Sequence, residues 1–308
     1  MTALDLDTRA RPERSARRIV RRAFSGRAAT GARILFKKID STLRGHVVAE
    51  LAAIRPALGK RPVLFAPAFP AQGRIVRGAR LHVNGKLSSG DLRALLSKAG
   101  LPATEVAVPS PASLRAAMRI GARAFVCDAT TEADLDRIAR AGLALHPRPL
   151  FVGSAGLARA LARTLPRRRP APRPAASRRP VVTVVGSASP VSALQARRLA
   201  RNPTNILVQM AWQREPTSRD IPALRRMGRL VAKAAPRVHY VLTGGETART
   251  VLGARDIRAL RLLGEVEPGV PFGMAPDGTL VCTKAGAFGA PGTLANCVAR
   301  LKREMTRP

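Results

Sequence analysis

Short apolar runs of four or five residues recur along the chain, each followed by a polar or glycine-rich turn and then by a segment with helical spacing. Apolar runs at 33–36, 62–66, 104–108, 124–127 and 149–152 predict strands. Segments at 12–24, 46–55, 91–99, 110–120, 131–141 and 154–165 predict helices between them. Strands alternating with helices imply a mostly parallel sheet covered on both faces. Residues 80–83 with Asn84-Gly85 read as part of a small hairpin. Residues 67–74, rich in Pro and Gly, read as a loop. Leu4 to Arg9 reads as the tail of a strand entering a turn.

The pattern breaks at LPRRRPAPRPAASRRP, where Pro and Arg alternate. Such a segment predicts an extended, solvated linker at 166–180. The expected fold class is therefore α/β with two lobes, each a mostly parallel sheet flanked by helices. The lobes are expected at 1–165 and 181–308. The second lobe shows three strand–turn–helix units, at 181–185, 238–242 and 280–283. Their turns read GSAS (186–189), TGGETA (243–248) and KAGAFG (284–289). Ser189 followed by Pro190 reads as an N-cap with proline in the first helical position. A strand at 206–210 and a helix at 222–234 are expected between the first two units. Residues 264–271, GEVEPGVP, read as a rigid loop.

Composition changes this picture in one respect. Fifty-four Lys and Arg against nineteen Asp and Glu give a formal net charge of +35, which first suggests nucleic acid. The arginines are spread through every predicted helix rather than gathered on one stripe. Aromatic residues make up only 3%, too few for a stacking platform, and no helix-turn-helix, zinc-finger or basic-zipper pattern is present. No specific nucleic-acid partner is expected; the charge is read as a bias toward Arg that favours anionic ligands at long range. Cys127, Cys282 and Cys297 are unevenly spaced and form no CxxC, so reduced thiols in a cytoplasmic protein are expected. No apolar run has the length of a membrane span, and no signal-peptide pattern opens the chain. The sequence leaves a homodimer open.

The candidate chemistry sits in the turns. KKIDSTLRG (37–45) joins an apolar strand to a helix and carries Lys37, Lys38, Asp40, Ser41 and Arg44. Arg44 is suited to a two-pronged grip on a carboxylate, and Asp40 to orienting or deprotonating a hydroxyl. The alternative is that Asp40 and Ser41 cap the following helix while the bases are solvated. In the second lobe, small-residue turns between strand and helix expose backbone N–H groups at the positive end of a helix, which cradles phosphate. Glycine turns also serve for packing alone. Three in one lobe favour a nucleotide, with Lys284 as a charge beside the third. Glu246 is suited either to a ribose hydroxyl or metal ion, or to offsetting the dipole of its own helix. Neither a GxxxxGK[ST] loop nor a GxGxxG followed by a well-placed acid is present. An anion grip in one lobe and a nucleotide cradle in the other suggest phosphoryl transfer across a cleft. A Mg2+ ion held mostly by the nucleotide and water would accompany it, with no protein-only metal site.

KKIDSTLRG, FAPAFPAQGR, DATTEADL, GSAGLA, VVGSAS, LTGGETA, EPGVP and TKAGAFG occur in an order that resembles the four-carbon acid sugar kinase family. The resemblance runs from about Asp5 to Leu301. It implies a substrate lobe followed by a nucleotide lobe, and ATP-dependent phosphorylation of the terminal hydroxyl of a tetronate or 3-oxo-tetronate. It implies nucleotide contacts at Gly186, Ser187, Ser189, Gly244, Gly245, Glu246, Thr247 and Gly286, to which the reading of the third turn adds Lys284 and Gly289. It implies that Lys37, Asp40 and Arg44 belong to the substrate site and that Arg9 faces the sugar acid; the reading of the turn adds Lys38 and Ser41 as substrate contacts and makes Asp40 the catalytic candidate. The family's usual opening strand and D-D-x-T-G-A turn have no counterpart here, and His46 stands where Asn is frequent. A member that binds nucleotide without turnover is the alternative expectation, and a polyanion-binding protein driven by charge is a remote one.

Overall fold

The computed structural model describes residues 2–9, 11–26, 29, 31–166, 176–212 and 220–306. The chain forms two compact units, Met1–Arg167 and Arg168–Pro308. Most of the linker expected at 166–180, residues 167–175, lies outside the described residues.

The first unit opens with helix α1 (Glu13–Ser25), which buries only Ala16 and Val20 and leaves its arginines outward. Strand β1 (Leu35–Lys38), helix α2 (Val47–Ile54) and strand β2 (Val63–Ala66) follow. Strands β3 (Arg74–Arg77), β4 (Arg80–Val83) and β5 (Lys86–Asp91) form a separate antiparallel sheet, so the expected hairpin has a third strand. The main sheet is completed by β6 (Ala103–Val106), β7 (Ala124–Cys127) and β8 (Leu150–Gly153). Helices α3 (Leu92–Lys98), α4 (Pro111–Arg119), α5 (Glu132–Leu143) and α6 (Ala155–Thr164) accompany them. The order is β1-β8-β2-β7-β6, parallel throughout. Strands β2, β7 and β8 are buried on both faces, which is why they read as unbroken apolar runs rather than as alternation. Leu64, Phe65, Phe125 and Phe151 are wholly buried and anchor the core.

Two local expectations change. Leu4 to Arg9 forms no strand, and Thr8 and Arg9 instead turn toward the 37–50 region through their side chains. Neither Asp40 nor Ser41 caps α2, whose N-cap is His46 without a side-chain capping bond. The imidazole Nε2 of His46 lies 2.8 Å from the Arg11 carbonyl instead.

The second unit contains β9 (Val181–Val185), α7 (Pro190–Ala200), β10 (Ile206–Gln209), α8 (Ile221–Ala234), β11 (His239–Thr243) and α9 (Gly245–Ala254). It ends with β12 (Arg261–Glu267), β13 (Val270–Met274), β14 (Leu280–Lys284) and α10 (Thr293–Thr306). The sheet order is β10-β9-β11-β14-β13-β12. The first four strands are parallel, and β13 and β12 run antiparallel to their neighbours. Alternation along β9 and β11 divides the core. Val181, Val185 and Val241 pack with Leu294 and Leu301 on one face. Val182, Val184, Tyr240 and Leu242 pack with Val231 and Val251 on the other. The loop expected at 264–271 is instead the β12–β13 hairpin. Glu267 opposes Val270, and Pro268 and Gly269 make the turn, with Gly269 at φ +82°. A Pro-Gly pair is the sequence of such a turn, and Pro271 is tolerated because it stands near the start of β13, before the pairing with β14 begins at Phe272 and beside a register irregularity in β12. Ser189 does occupy the N-cap of α7, but its hydroxyl makes no capping bond.

Candidate active site

In the first unit β1 delivers its polar turn at the carboxyl edge of the sheet, where open parallel sheets bind ligands. Buried Ile39 prolongs the β1–β8 pairing by donating its N–H to the Gly153 carbonyl at 2.9 Å. The chain then folds around Asp40. Its Oδ1 accepts from the Thr42 N–H at 2.9 Å, the Thr42 hydroxyl at 2.6 Å and Arg44 Nε at 3.2 Å. Its Oδ2 accepts from Arg44 at 3.0 Å and from Arg9 at 3.3 Å. Burial pushes the Asp40 carboxyl up, but the bonds from Arg44 and Thr42 outweigh it and hold the group well below the usual carboxylate range. A carboxylate so saturated with donors is a weak base. Its geometry suits holding two guanidiniums side by side better than removing a proton. The side chains of Arg9 and Arg44 remain largely exposed, at 59% and 62%.

The lysines of the motif are not equivalent to those arginines. Lys37 Nζ lies 2.5 Å from Glu50 Oε2, with both side chains nearly buried. The other carboxylate oxygen of Glu50 accepts from the Thr8 hydroxyl. Lys38 donates to the Ile39 carbonyl at 2.7 Å, and burial lowers its pKa. Ser41 is half-buried in the turn between Asp40 and Thr42. Glu50 was absent from the sequence-derived candidates. Its signal is a lone acid within VVAELAAI, an otherwise apolar helix. The GSAG segment at 153–156 is a packing turn: Ser154 is buried, donates to the Ala68 carbonyl at 2.6 Å and caps α6.

In the second unit the chain passes from β9 outward to β10, then returns across β9 to β11. The direction of winding therefore reverses between β9 and β11, and a doubly wound sheet opens its ligand crevice at that point. GSAS follows β9 and TGGET follows β11, so both border it. KAGAFG follows β14, the next strand. The three turns touch. A Cβ on Gly186 would lie 2.1 Å from Thr247 Oγ1, and one on Gly286 would lie 2.0 Å from Ser187 Oγ. Gly244 adopts φ +99° and donates its N–H to the Lys284 carbonyl at 2.9 Å. Ser187 Oγ accepts from the Ser189 N–H at 3.2 Å. Gly245 begins α9, with open space where a side chain would point. Gly289 closes the third turn at φ +88°, against Thr293.

Lys284 differs from the expected point charge. It is 3% exposed, and its ammonium donates to the carbonyls of Ala285, Gly286 and Phe288 at 2.9–3.1 Å and to Ser192 Oγ at 3.3 Å. It ties its own turn into shape from within, and burial lowers its pKa. Ser192 and Gln195 of α7 add bonds to the carbonyls of Gly286, Phe288 and Ala290. Glu246 pairs with Arg225 of α8 at 3.0 Å. Trp212, which the sequence reading did not place in the site, donates its indole N–H to the Gly186 carbonyl at 3.1 Å.

A phosphate-bearing group fits this second site on two observations. Thr247 Oγ1 is buried among the turns and lacks a hydrogen-bond partner among the described residues, and the glycine turns bring backbone within reach of a ligand at a helix start. Among the described residues no three His, Cys, Asp or Glu side chains converge as a metal-binding group, and no helix is long and apolar enough to cross a membrane.

A doubly wound unit with small-residue turns at its switch point has the architecture of nucleotide-binding α/β proteins. Comparison with known proteins narrows this. The description "Sugar-binding N-terminal domain" matches residues 1–161, and "Nucleotide-binding C-terminal domain" matches residues 213–294. The chain is 36% identical to a D-threonate kinase of Cupriavidus necator, over 96% of this chain and 86% of that protein. It is 26% identical to a 3-oxo-tetronate kinase of Pseudomonas fluorescens, over 81% and 74% of the two chains. The chain belongs to the four-carbon acid sugar kinase family, a family of carbohydrate kinases. Its fold is shared by a solved Haemophilus influenzae protein of the DUF1537 family, with a TM-score of 0.76 at 18% identity over 96% of this chain and 88% of that one. A Salmonella typhimurium protein described as a putative tRNA synthase aligns with a TM-score of 0.74 at 20% identity, over 94% and 86% of the two chains.

Proposed function

We propose that the protein transfers the γ-phosphoryl group of ATP to the terminal, C4 hydroxyl of a four-carbon sugar acid, a tetronate or 3-oxo-tetronate. The observation that carries the nucleotide half is the meeting of the three turns at the switch point of the second unit. Backbone N–H groups of 186–189 and 244–247 cradle the phosphates, Thr247 Oγ1 donates to them, and the 284–289 turn forms the third wall. Lys284, Ser192 and Gln195 keep that wall rigid. Mg2+ would supply charge neutralisation between phosphate groups, held by nucleotide oxygens and water.

In the first unit Arg9 and Arg44, set side by side by Asp40, take the carboxylate of the sugar acid, because a guanidinium matches a carboxylate in planar, two-pronged fashion. Asp40 acts by orienting them. A base is not required of it, since phosphoryl transfer depends mainly on positioning and charge neutralisation. The transferred group leaves ADP and gains the C4 oxygen, whose proton passes to solvent. The relatives named D-threonate kinase and 3-oxo-tetronate kinase support this substrate class. The test is turnover of ATP by purified protein with threonate, erythronate and their 3-oxo forms. Formation of a sugar-acid phosphate is expected. ATP hydrolysis or binding without transfer to any of them overturns the proposal.

A further inference from the structure

Glu50 is a carboxylate buried in a helix whose other inward residues, Val47, Ala49, Leu51, Ala53 and Ile54, are apolar. A buried charge is destabilising unless it is paired and hydrogen-bonded, so its partners define its use. It divides its two oxygens between distant parts of the chain. Oε1 takes the hydroxyl of Thr8, 42 residues away, and Oε2 takes the ammonium of Lys37 from the neighbouring strand. The residue after Thr8 is Arg9, which reaches Asp40 at 3.3 Å beside Arg44. The segment carrying Arg9 forms no strand, so nothing in the sheet ladder fixes it there.

We propose that Glu50 is a positioning residue for the sugar-acid grip: one buried carboxylate fastens the Thr8–Arg9 segment and Lys37 together, so that Arg9 stands beside Arg44. Lys37 then acts as a strut with its charge balanced, and the charges offered to the substrate are those of the two arginines. This inference rests on the substrate reading given above, and its test has an arm that does not depend on it.

The test compares wild type with Glu50→Gln, Thr8→Val and the charge-neutral double variant Lys37→Met/Glu50→Gln. Hydrogen exchange is followed in the peptide spanning residues 5–11, where the Arg11 amide is bonded to the Thr8 carbonyl. Kinetics are measured with the best tetronate and with ATP. Loss of the fastener raises exchange in 5–11 about tenfold in Glu50→Gln and Thr8→Val, with exchange in the second unit unchanged. It also raises KM for the sugar acid about tenfold while KM for ATP stays within about twofold. Should Glu50→Gln fail to fold, the double variant, which buries no unpaired charge, supplies the same readings. Unchanged exchange in 5–11, or an equal rise in both Michaelis constants, overturns the positioning role. Absence of turnover in wild type overturns the kinase reading instead, and the exchange measurement then decides the role of Glu50 alone.

Discussion

Replacing Gly286 by Ala tests whether the three turns of the second unit must touch. The added methyl would lie 2.0 Å from Ser187 Oγ, 2.9 Å from Ser187 Cβ and 3.4 Å from Ser189 Cβ. Rotation of the Ser187 hydroxyl relieves the shortest contact but gives up its bond from the Ser189 N–H. The Cβ–Cβ approach remains and forces the third turn away from the first. Overpacking of this kind costs about 1–3 kcal/mol, and a lost hydrogen bond adds about 1 kcal/mol. If about 2 kcal/mol of this falls on the ligand-bound arrangement, affinity drops roughly thirtyfold. Isothermal titration with ADP, together with guanidinium unfolding, measures both parts. Gly253→Ala is the control, because Gly253 lies in α9 and the added methyl meets nothing within 4 Å beyond its chain neighbours and its own helix backbone, and alanine there is expected to be neutral or stabilising by about 0.5–1 kcal/mol. A folded Gly286→Ala protein that binds ADP as tightly as the control would refute the convergent-turn account.

Lys284→Met removes the cation that three carbonyls and Ser192 share; a loss of about 2–4 kcal/mol in unfolding free energy and a raised KM for ATP are expected, from denaturant titration and steady-state kinetics. Trp212 is the sole tryptophan and its indole is bonded to the Gly186 carbonyl, so ADP should change the protein's intrinsic fluorescence saturably, whereas a tetronate alone should not. His239 is buried, accepts the Leu280 N–H at Nδ1 and pairs with Ser177 at Nε2; burial, aided by Arg179, lowers its pKa from 6.5 to about 4. The folded state thus binds fewer protons than the unfolded state between those values, and this group's contribution is full above pH 6.5 and lost as pH falls through about 4. Unfolding midpoints measured across that window should fall with pH in wild type and fall less in His239→Gln.

Much of the fold was legible because the central strands are buried on both faces and stand out as apolar runs between turns. The gathering of three turns in the second unit was legible as well: GSAS, TGGET and KAGAFG are small-residue turns after strands, and parallel pairing places such turns on one edge of the sheet. What escaped the sequence depends on contacts between distant residues. Glu50 looks like an ordinary helix residue until Thr8 and Lys37 are seen on either side of it. Lys284 looks like a phosphate ligand until its ammonium is found turned inward to its own backbone. The β12–β13 hairpin was hidden by its prolines, which suggest a rigid loop, although Pro268-Gly269 is also the sequence of a tight turn. The tail-of-strand reading at Leu4–Arg9 failed because strand formation needs a ladder partner, and the local pattern does not reveal one.

The most direct test of the central claim is the fate of the γ-phosphoryl group. Purified protein is incubated with ATP, Mg2+ and each tetronate and 3-oxo-tetronate, and products are followed by phosphorus and carbon NMR. The account predicts equimolar ADP and a sugar-acid phosphate with phosphorus coupled to C4. Phosphate appearing on another hydroxyl, or only as inorganic phosphate, would contradict it.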